Sequence, residues 1–252
     1  MEALIVSGGH LDEEFAVSHM RQHSFDMTIA VDSGMGFFYR QNRMPHYIVG
    51  DFDSVKPEIL ESFRNRTETD ASESFQKLQL QSTESADFEK QPEQRQKKPV
   101  ILQFQPEKDE TDTEIAIRTA ISQGCDTIHI LGATGTRVDH MMGNIHLLGM
   151  SMEQGVSCLL LDKYNRIRMI NQGLVLKKEE QYGNYVSLLP FTPQVTGLTL
   201  TGFKYPLRLY NGMLSFPGSQ QRDYGRTGGN ILSGRCTAGG GIQGLSQSWI
   251  IG

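Results

Sequence analysis

Cysteine is scarce. Cys125, Cys158 and Cys236 are the whole complement, and they show neither metal-ligand spacing nor an even disulfide framework, so they read as reduced thiols of a cytosolic chain. Basic charge is not in excess: 24 Lys and Arg stand against 29 Asp and Glu, a net charge of −5. That argues against a general nucleic-acid surface but leaves room for a local basic pocket that holds phosphate. No apolar run approaches the ~20 residues needed to cross a bilayer. Met1-Glu2-Ala3-Leu4-Ile5-Val6 is acidic and at once strand-like, unlike a signal peptide. The expectation is a soluble, cytoplasmic protein with no nucleic-acid or membrane partner. A full dinucleotide fingerprint is also missing, since Ser7-Gly8-Gly9 is only the beginning of one. What is present is 252 residues, 38% of them hydrophobic, enough for one large domain or two smaller ones.

Strand-like and helix-like segments alternate along the first half. Short apolar runs fall at Ala3 to Val6, Met27 to Val31, Tyr47 to Val49, Val100 to Phe104, Thr127 to Leu131 and Ser157 to Leu161. Helical stretches are predicted from Asp12 to Gln22, Met35 to Gln41 and Pro57 to Arg64, after Thr111 and after His140. This alternation implies a doubly wound, mostly parallel sheet with helices on both faces. Beyond about Tyr164 the punctuation changes to short runs between Gly173, Gly183, Pro190 and Gly197, which reads as an all-β domain, a sandwich or open barrel. The expected fold class is therefore α/β: a catalytic, nucleotide-binding domain over 1–163, a β-sandwich over 164–217 and a glycine-rich tail over 218–252. Residues 65–98, rich in Gln, Glu, Ser, Thr and Lys, read as a disordered insertion, because they offer too little apolar surface to offset their ordering entropy.

Ligands in such sheets bind beyond the carboxyl ends of the strands. Acidic residues collect there. Asp32-Ser33-Gly34 follows the second strand, Gly50-Asp51-Phe52-Asp53-Ser54 the third, and Asp109-Glu110-Thr111-Asp112 the fourth. Alternation about Phe52 would put Asp51 and Asp53 on one side of an extended backbone. Paired carboxylates suit Mg²⁺, though a solvated turn would use the same residues. Asp112 could also serve only the dipole of a helix whose capping box is Thr111 and Glu114. After the fifth strand, Gly132-Ala133-Thr134-Gly135-Thr136-Arg137-Val138-Asp139-His140 supplies approachable backbone N–H groups, hydroxyls and a fixed cation, which is what a phosphate site needs.

These motifs, together with Gly202-Phe203-Lys204-Tyr205-Pro206-Leu207, occur in the order seen in bacterial thiamine pyrophosphokinases, and the chain resembles that family over about residues 1–207, apart from the insertion. The resemblance implies transfer of a diphosphate group from ATP to the thiamine hydroxyl, with AMP as the other product, and a homodimer that binds thiamine near its interface. It implies that Asp51, Asp53, Asp109 and Asp112 serve the Mg²⁺ and catalytic site. It further implies that Asp32, Ser33 and Gly34 lie beside that site, and that Thr134, Gly135, Thr136, Arg137, Asp139 and His140 contact the nucleotide. The sequence does not choose between Asp51 and Asp53 as acceptor of the hydroxyl proton. His140 is equally readable as a capping or core residue, and His129, inside a strand, as structural.

The tail departs from the family. Gly218 to Gly252 is dense in glycine, lacks strand alternation, and ends in Trp249-Ile250-Ile251-Gly252, which fits no closing strand of the family. One permitted codon choice for Gln220 to Ile231, read one base later, encodes S-N-E-I-M-G-E-Q-G-G-T-F. This recovers the Ser-Asn-Glu stretch that follows the Gly-Phe-Lys-Tyr-Pro-Leu motif in the family. The tail is therefore read as a frame-shifted translation. Two other functions use similar aspartates: a Mg²⁺-dependent phosphohydrolase or nucleotidyltransferase, and a nucleotide-binding protein whose turnover the tail has impaired.

Overall fold

The computed structural model of the protein describes residues 1–65, 98–105, 107–135, 137–177, 179, 181–183, 185–191, 194–202, 207–213, 219–222, 234–237 and 249–251. The six apolar runs of the first half form β1 (Glu2–Val6), β2 (Met27–Val31), β3 (Tyr47–Gly50), β4 (Val100–Gln103), β5 (Thr127–Leu131) and β6 (Ser157–Leu161). They lie parallel in the order β4-β3-β2-β1-β5-β6. Helices α1 (Glu13–Gln22), α2 (Met35–Arg40), α3 (Pro57–Asn65), α4 (Asp112–Ser122) and α5 (Val138–Glu153) cover the sheet. The strands read as unbroken apolar runs because both faces are covered. Ala3, Ile5, Ile128 and Ile130 pack with Ala116, Ile117 and Leu148 of α4 and α5. Leu4, Val6, Ala30 and Ile48 pack with Ala16, Phe37, Phe38 and Phe63 of the other three helices. The residues are nearly all fully buried, and the two-residue period of a strand assigns them to the two faces.

Strand order reverses between β1 and β5. The crevice beyond their carboxyl ends is the topological switch point, where such sheets take ligands. The helix starts are set locally. Asp12 caps α1 by accepting from Phe15 N at 2.9 Å, and Thr111 caps α4 by accepting from Glu114 N at 3.2 Å. The expected capping box is half formed, since Glu114 turns its carboxylate to Arg118, one turn on, at 2.7 Å.

Past the parallel strands the sheet does not stop. Strand β7 (Arg166–Ile170) folds back antiparallel on β6 through the turn at Asp162, so no break in hydrogen bonding marks the expected boundary near residue 163. Strands β14 (Trp249–Ile251), β9 (Tyr185–Pro190) and β12 (Ser219–Arg222) extend it to ten strands. A second, antiparallel sheet holds β8 (Leu174–Leu176), β13 (Gly234–Thr237), β10 (Gln194–Thr201) and β11 (Leu207–Met213). The α/β class with a mostly parallel sheet and added β-strands is as expected.

The reading of the tail as free of closing strands is corrected. Within 218–252, β12 pairs with β9, β13 lies between β8 and β10, and β14 lies between β7 and β9. Trp249-Ile250-Ile251 is apolar and β-prone, and two open strand edges give it a full set of backbone partners. The expected insertion falls almost wholly on residues 66–97, which lie outside the described residues, as do Thr136 and Phe203 to Pro206.

Candidate functional site

Beyond β2 the chain makes a single 3-10 turn, Asp32–Gly34, before α2. Asp32 takes a positive φ of 46°, a conformation Asp tolerates better than most residues. Gly34 is required by close approach, since a Cβ there would lie 2.1 Å from the carbonyl oxygen of Val6. Ser33 donates through Oγ to the carbonyl of Gly8 at 2.9 Å, tying the loop after β2 to the loop after β1. Gly50 serves the same crowding from β3, because a Cβ on it would meet Asp32 Oδ1 at 1.9 Å. The Asp32 carboxylate is thereby pressed against the end of β3.

Its electrostatics follow. Asp32 Oδ1 is buried without a hydrogen-bond partner among the described residues. Burial, then the charges of Asp112 and Asp51 and a side-chain hydrogen bond with Asp112, push the Asp32 carboxyl up to about 7, and the Lys108 charge acts in the opposite sense. Lys108 is paired with Asp112 and lies 5.0 Å from the centre of the Phe104 ring. Three carboxylates, from the ends of β2 and β3 and the first residue of α4, thus share one corner. Ser7 Oγ and Thr113 Oγ1, hydrogen-bonded at 2.9 Å and buried, fix that helix over the end of β1.

Asp53 is arranged otherwise than expected. Phe52 is buried and takes a φ of 66°, so the backbone turns instead of staying extended, and alternation does not place Asp53 beside Asp51. Asp51 accepts from the backbone N–H of Asp53 at 3.1 Å, and Asp53 is exposed. Asp109 is exposed in the bend before α4.

The loop after β5 forms the other wall. Gly132 has a φ of 70° and approaches the backbone of Ser7 too closely for any side chain. Thr134 donates to Asp162 Oδ2 at 2.6 Å. Asp162 also accepts from the backbone N–H groups of Tyr164 and Asn165; burial works to raise its carboxyl, and these bonds outweigh it and lower it. Arg137, at the N-cap of α5, and Asp139 form an exposed pair at 2.5 Å, which holds the Asp139 carboxyl down to about 2. His140 is exposed in the first turn of α5. Gly135 sits against the backbone of His10. Lys108, Ser7, Thr113 and Asp162 had no assigned role from sequence. Asp162 carried the clearest signal, a strand-end acid like those already noted.

A buried carboxylate oxygen without a partner and two more carboxylates form a hard-oxygen donor set, which suits a small divalent cation, and the Lys108 ammonium stands beside them. The glycine loops across the switch point, and Arg137, suit phosphate. The sequence from 19 to 160 matches the model of the thiamin pyrophosphokinase catalytic domain, and 173–220 matches that of the thiamin pyrophosphokinase vitamin B1 binding domain.

The chain belongs to the thiamine pyrophosphokinase family.

Thiamine pyrophosphokinase of Bacillus subtilis is 38% identical over 179 residues, covering 71% of this chain and 69% of that protein. The fold is similar to the crystal structure of the Bacillus subtilis thiamine pyrophosphokinase, with a TM-score of 0.69 at 24% identity, covering 100% of this chain and 97% of the other. It is similar also to that of Geobacillus thermodenitrificans, with a TM-score of 0.68 at 24% identity, covering 100% and 96%. The two family matches fall on either side of the β6–β7 turn. The second ends within β12, at residue 220.

Proposed function

We propose that this chain is a thiamine pyrophosphokinase, transferring a diphosphate group from ATP to the hydroxyl of thiamine. Membership of the family supports the reaction, and the observation that carries the site is the unpartnered Asp32 Oδ1 between Asp51 and Asp112 at the switch-point edge. Asp32, Asp51 and Asp112, with Asp53 and Asp109 at the rim, would hold Mg²⁺. When bound there, Mg²⁺ neutralises charge on the ATP phosphates as transfer proceeds. The protein's own groups do the rest. Lys108 sets a positive charge beside Asp112, where phosphate oxygens would gather. The loop from Gly132 to Arg137, with Ser33 and Gly34 opposite, offers N–H groups and a guanidinium to the nucleotide. Asp139 orients Arg137 through their bidentate pair, and His140 stands next to it on α5.

In the transfer, the thiamine oxygen forms a bond to the β-phosphorus, and the bond from that phosphorus to the α–β bridging oxygen breaks, releasing AMP. The hydroxyl proton passes to a carboxylate, Asp51 or Asp53. Thiamine would bind toward the C-terminal strands, near the interface of a cytoplasmic homodimer. The frame-shifted reading of the tail is retained as a proposal, supported by the end of the vitamin B1 binding match at residue 220. The gene sequence beyond codon 207 tests it.

The deciding experiment is AMP release from ATP and Mg²⁺ with and without thiamine. Thiamine-dependent AMP together with thiamine diphosphate is the expected result. Thiamine-independent phosphate release would instead establish a phosphohydrolase, and ATP binding without either product an impaired nucleotide-binding protein.

A further inference from the structure

Toward the amino ends of the strands, away from the aspartates, three imidazoles converge. His19 lies in the last turn of α1 and His23 caps that helix. His129 lies on β5 between Ile128 and Ile130, which pack on the opposite face. His19 and His129 are buried, whereas the His23 side chain is 39% exposed. His19 Nε2 and His129 Nδ1 are 3.0 Å apart, and one nitrogen from each of the three rings lies within 4.8 Å of the others. Glu2, the first residue of β1, reaches one nitrogen on each of two rings: its Oε1 is 3.5 Å from His23 Nδ1 and 3.5 Å from His129 Nε2. The Phe25 ring closes the side, 5.5 Å from His129 and 5.9 Å from His19 and from His23.

A packed pair of histidines needs one shared N–H and nothing more. It does not call for a third ring at the same point, nor for one carboxylate facing the outer nitrogens of two of them. We propose that His19, His23 and His129 are the ligands of a single divalent ion of the Zn²⁺ class, with Glu2 orienting two of the rings. Metal-bound histidines commonly donate their other N–H to a carboxylate, which fixes the tautomer. Donation from His23 Nδ1 and His129 Nε2 to Glu2 leaves His23 Nε2 and His129 Nδ1 with free lone pairs. His19 adds Nε2 once its proton sits on Nδ1, a change of tautomer that releases no proton. Ligand nitrogens 2.0–2.1 Å from a tetrahedral ion are about 3.3 Å from one another, close to the 3.0 Å already present between His19 and His129. Water supplies the fourth position, on the exposed side beside His23.

Burial, and then the neighbouring imidazoles, lower His19 to about 4 and His129 to about 3, so both are neutral near pH 7 and need not be stripped of a proton. The Arg166 charge also lowers His129, and its guanidinium lies 5.5 Å from the centre of the Tyr182 ring. The ion would tie the end of α1 to β1 and β5. It would be a structural clamp, separate from the strand-end aspartates.

The test uses the full chain, stripped of metal with a chelator and kept in excess Mg²⁺ so that the aspartates are saturated. Co²⁺ is the probe, since tetrahedral nitrogen ligation gives strong visible absorption, and Zn²⁺ is then added to displace it. One equivalent is expected, together with a rise in thermal midpoint. His23→Gln, at an exposed position, should fold normally by circular dichroism, weaken binding at least tenfold and abolish the rise. Glu2→Gln should weaken it by about 10–100-fold. The double variant Asp51→Asn with Asp112→Asn should keep the equivalent in full. The proposal is overturned if the wild-type chain takes up no stoichiometric ion under excess Mg²⁺, if His23→Gln binds as tightly as wild type, or if the double aspartate variant loses the ion.

Discussion

Asp51 and Asp112 are the residues whose loss should separate chemistry from folding. Each lies at a strand or helix end, carries charge toward Asp32, and fills no part of the core. Asp51→Asn or Asp112→Asn should lower thiamine diphosphate formation by about 100-fold or more with an unchanged thermal midpoint, measured as AMP release and by calorimetry. Near-normal turnover in either variant would remove it from the site. The thiols give a second test at this scale. Cys158 is buried, and desolvation pushes its thiol up to about 12; burial raises Cys125 as well. At Cys158 thiolate therefore stays scarce even at pH 9, and thiolate is the form that alkylates, while Cys125 is shielded by its burial. Peptide mapping should therefore find both unmodified after iodoacetamide treatment of the native protein at that pH, and both modified after denaturation.

Strand ends and loops meet backbone to backbone in this protein, and that constraint acts on whole elements. Gly50 terminates β3 with no space for a side chain, the Asp32 carboxylate lying where its Cβ would stand. Gly50→Ala must displace either Asp32 or the end of β3. It should cost about 1–3 kcal/mol, as for other strained backbone sites, read as a fall in thermal midpoint of several degrees with a matching loss of activity. The link from α3 to β4 should be far more tolerant. The β3–β4 ladder pairs Tyr47–Gly50 with Val100–Gln103. Deleting Glu68 to Arg95 leaves a connection of ordinary loop length, and closure entropy depends only weakly on length. A deletion variant with unaltered thermal midpoint and turnover is expected, and unfolding would show that the segment packs.

For the whole molecule, one sheet runs from β4 to β12 and joins the two regions matched by the family models. Its continuity depends on β14, which stands between β7 and β9. Ending the chain after Arg222 would remove β14 and β13, leaving open edges on β7 and β9 and on β8 and β10. Such a chain should lose stability and associate non-specifically, seen as a lower midpoint and larger species on gel filtration. Its carboxylate corner, built from β2, β3 and α4, should still bind ATP with Mg²⁺. A truncated chain as stable and monodisperse as the full one would show that these strands contribute little.

The apolar runs, their alternation with helical stretches and the acids at strand ends were legible in the sequence, because local period and turn chemistry encode them directly. The same holds for Thr111 as a cap, since a cap bonds only three residues away. Other features depended on backbone conformation or on residues far apart in the chain. Phe52 turns the backbone at Asp51 and so parts Asp53 from it, a departure that simple alternation could not foresee. Lys108 pairs with Asp112 only four residues on, but the pair meets Asp32 only because the end of β2 lies beside the start of α4. The tail finds strand partners because open edges at β7, β9, β8 and β10 supply the backbone groups that its own composition does not advertise. The three histidines, 110 residues apart at the widest between His19 and His129, meet only because β5 lies next to β1 and α1 crosses the same face. Local sequence determined the elements and the chemistry available at their ends; the pairing of distant strands decided which groups share a low-dielectric space and therefore interact.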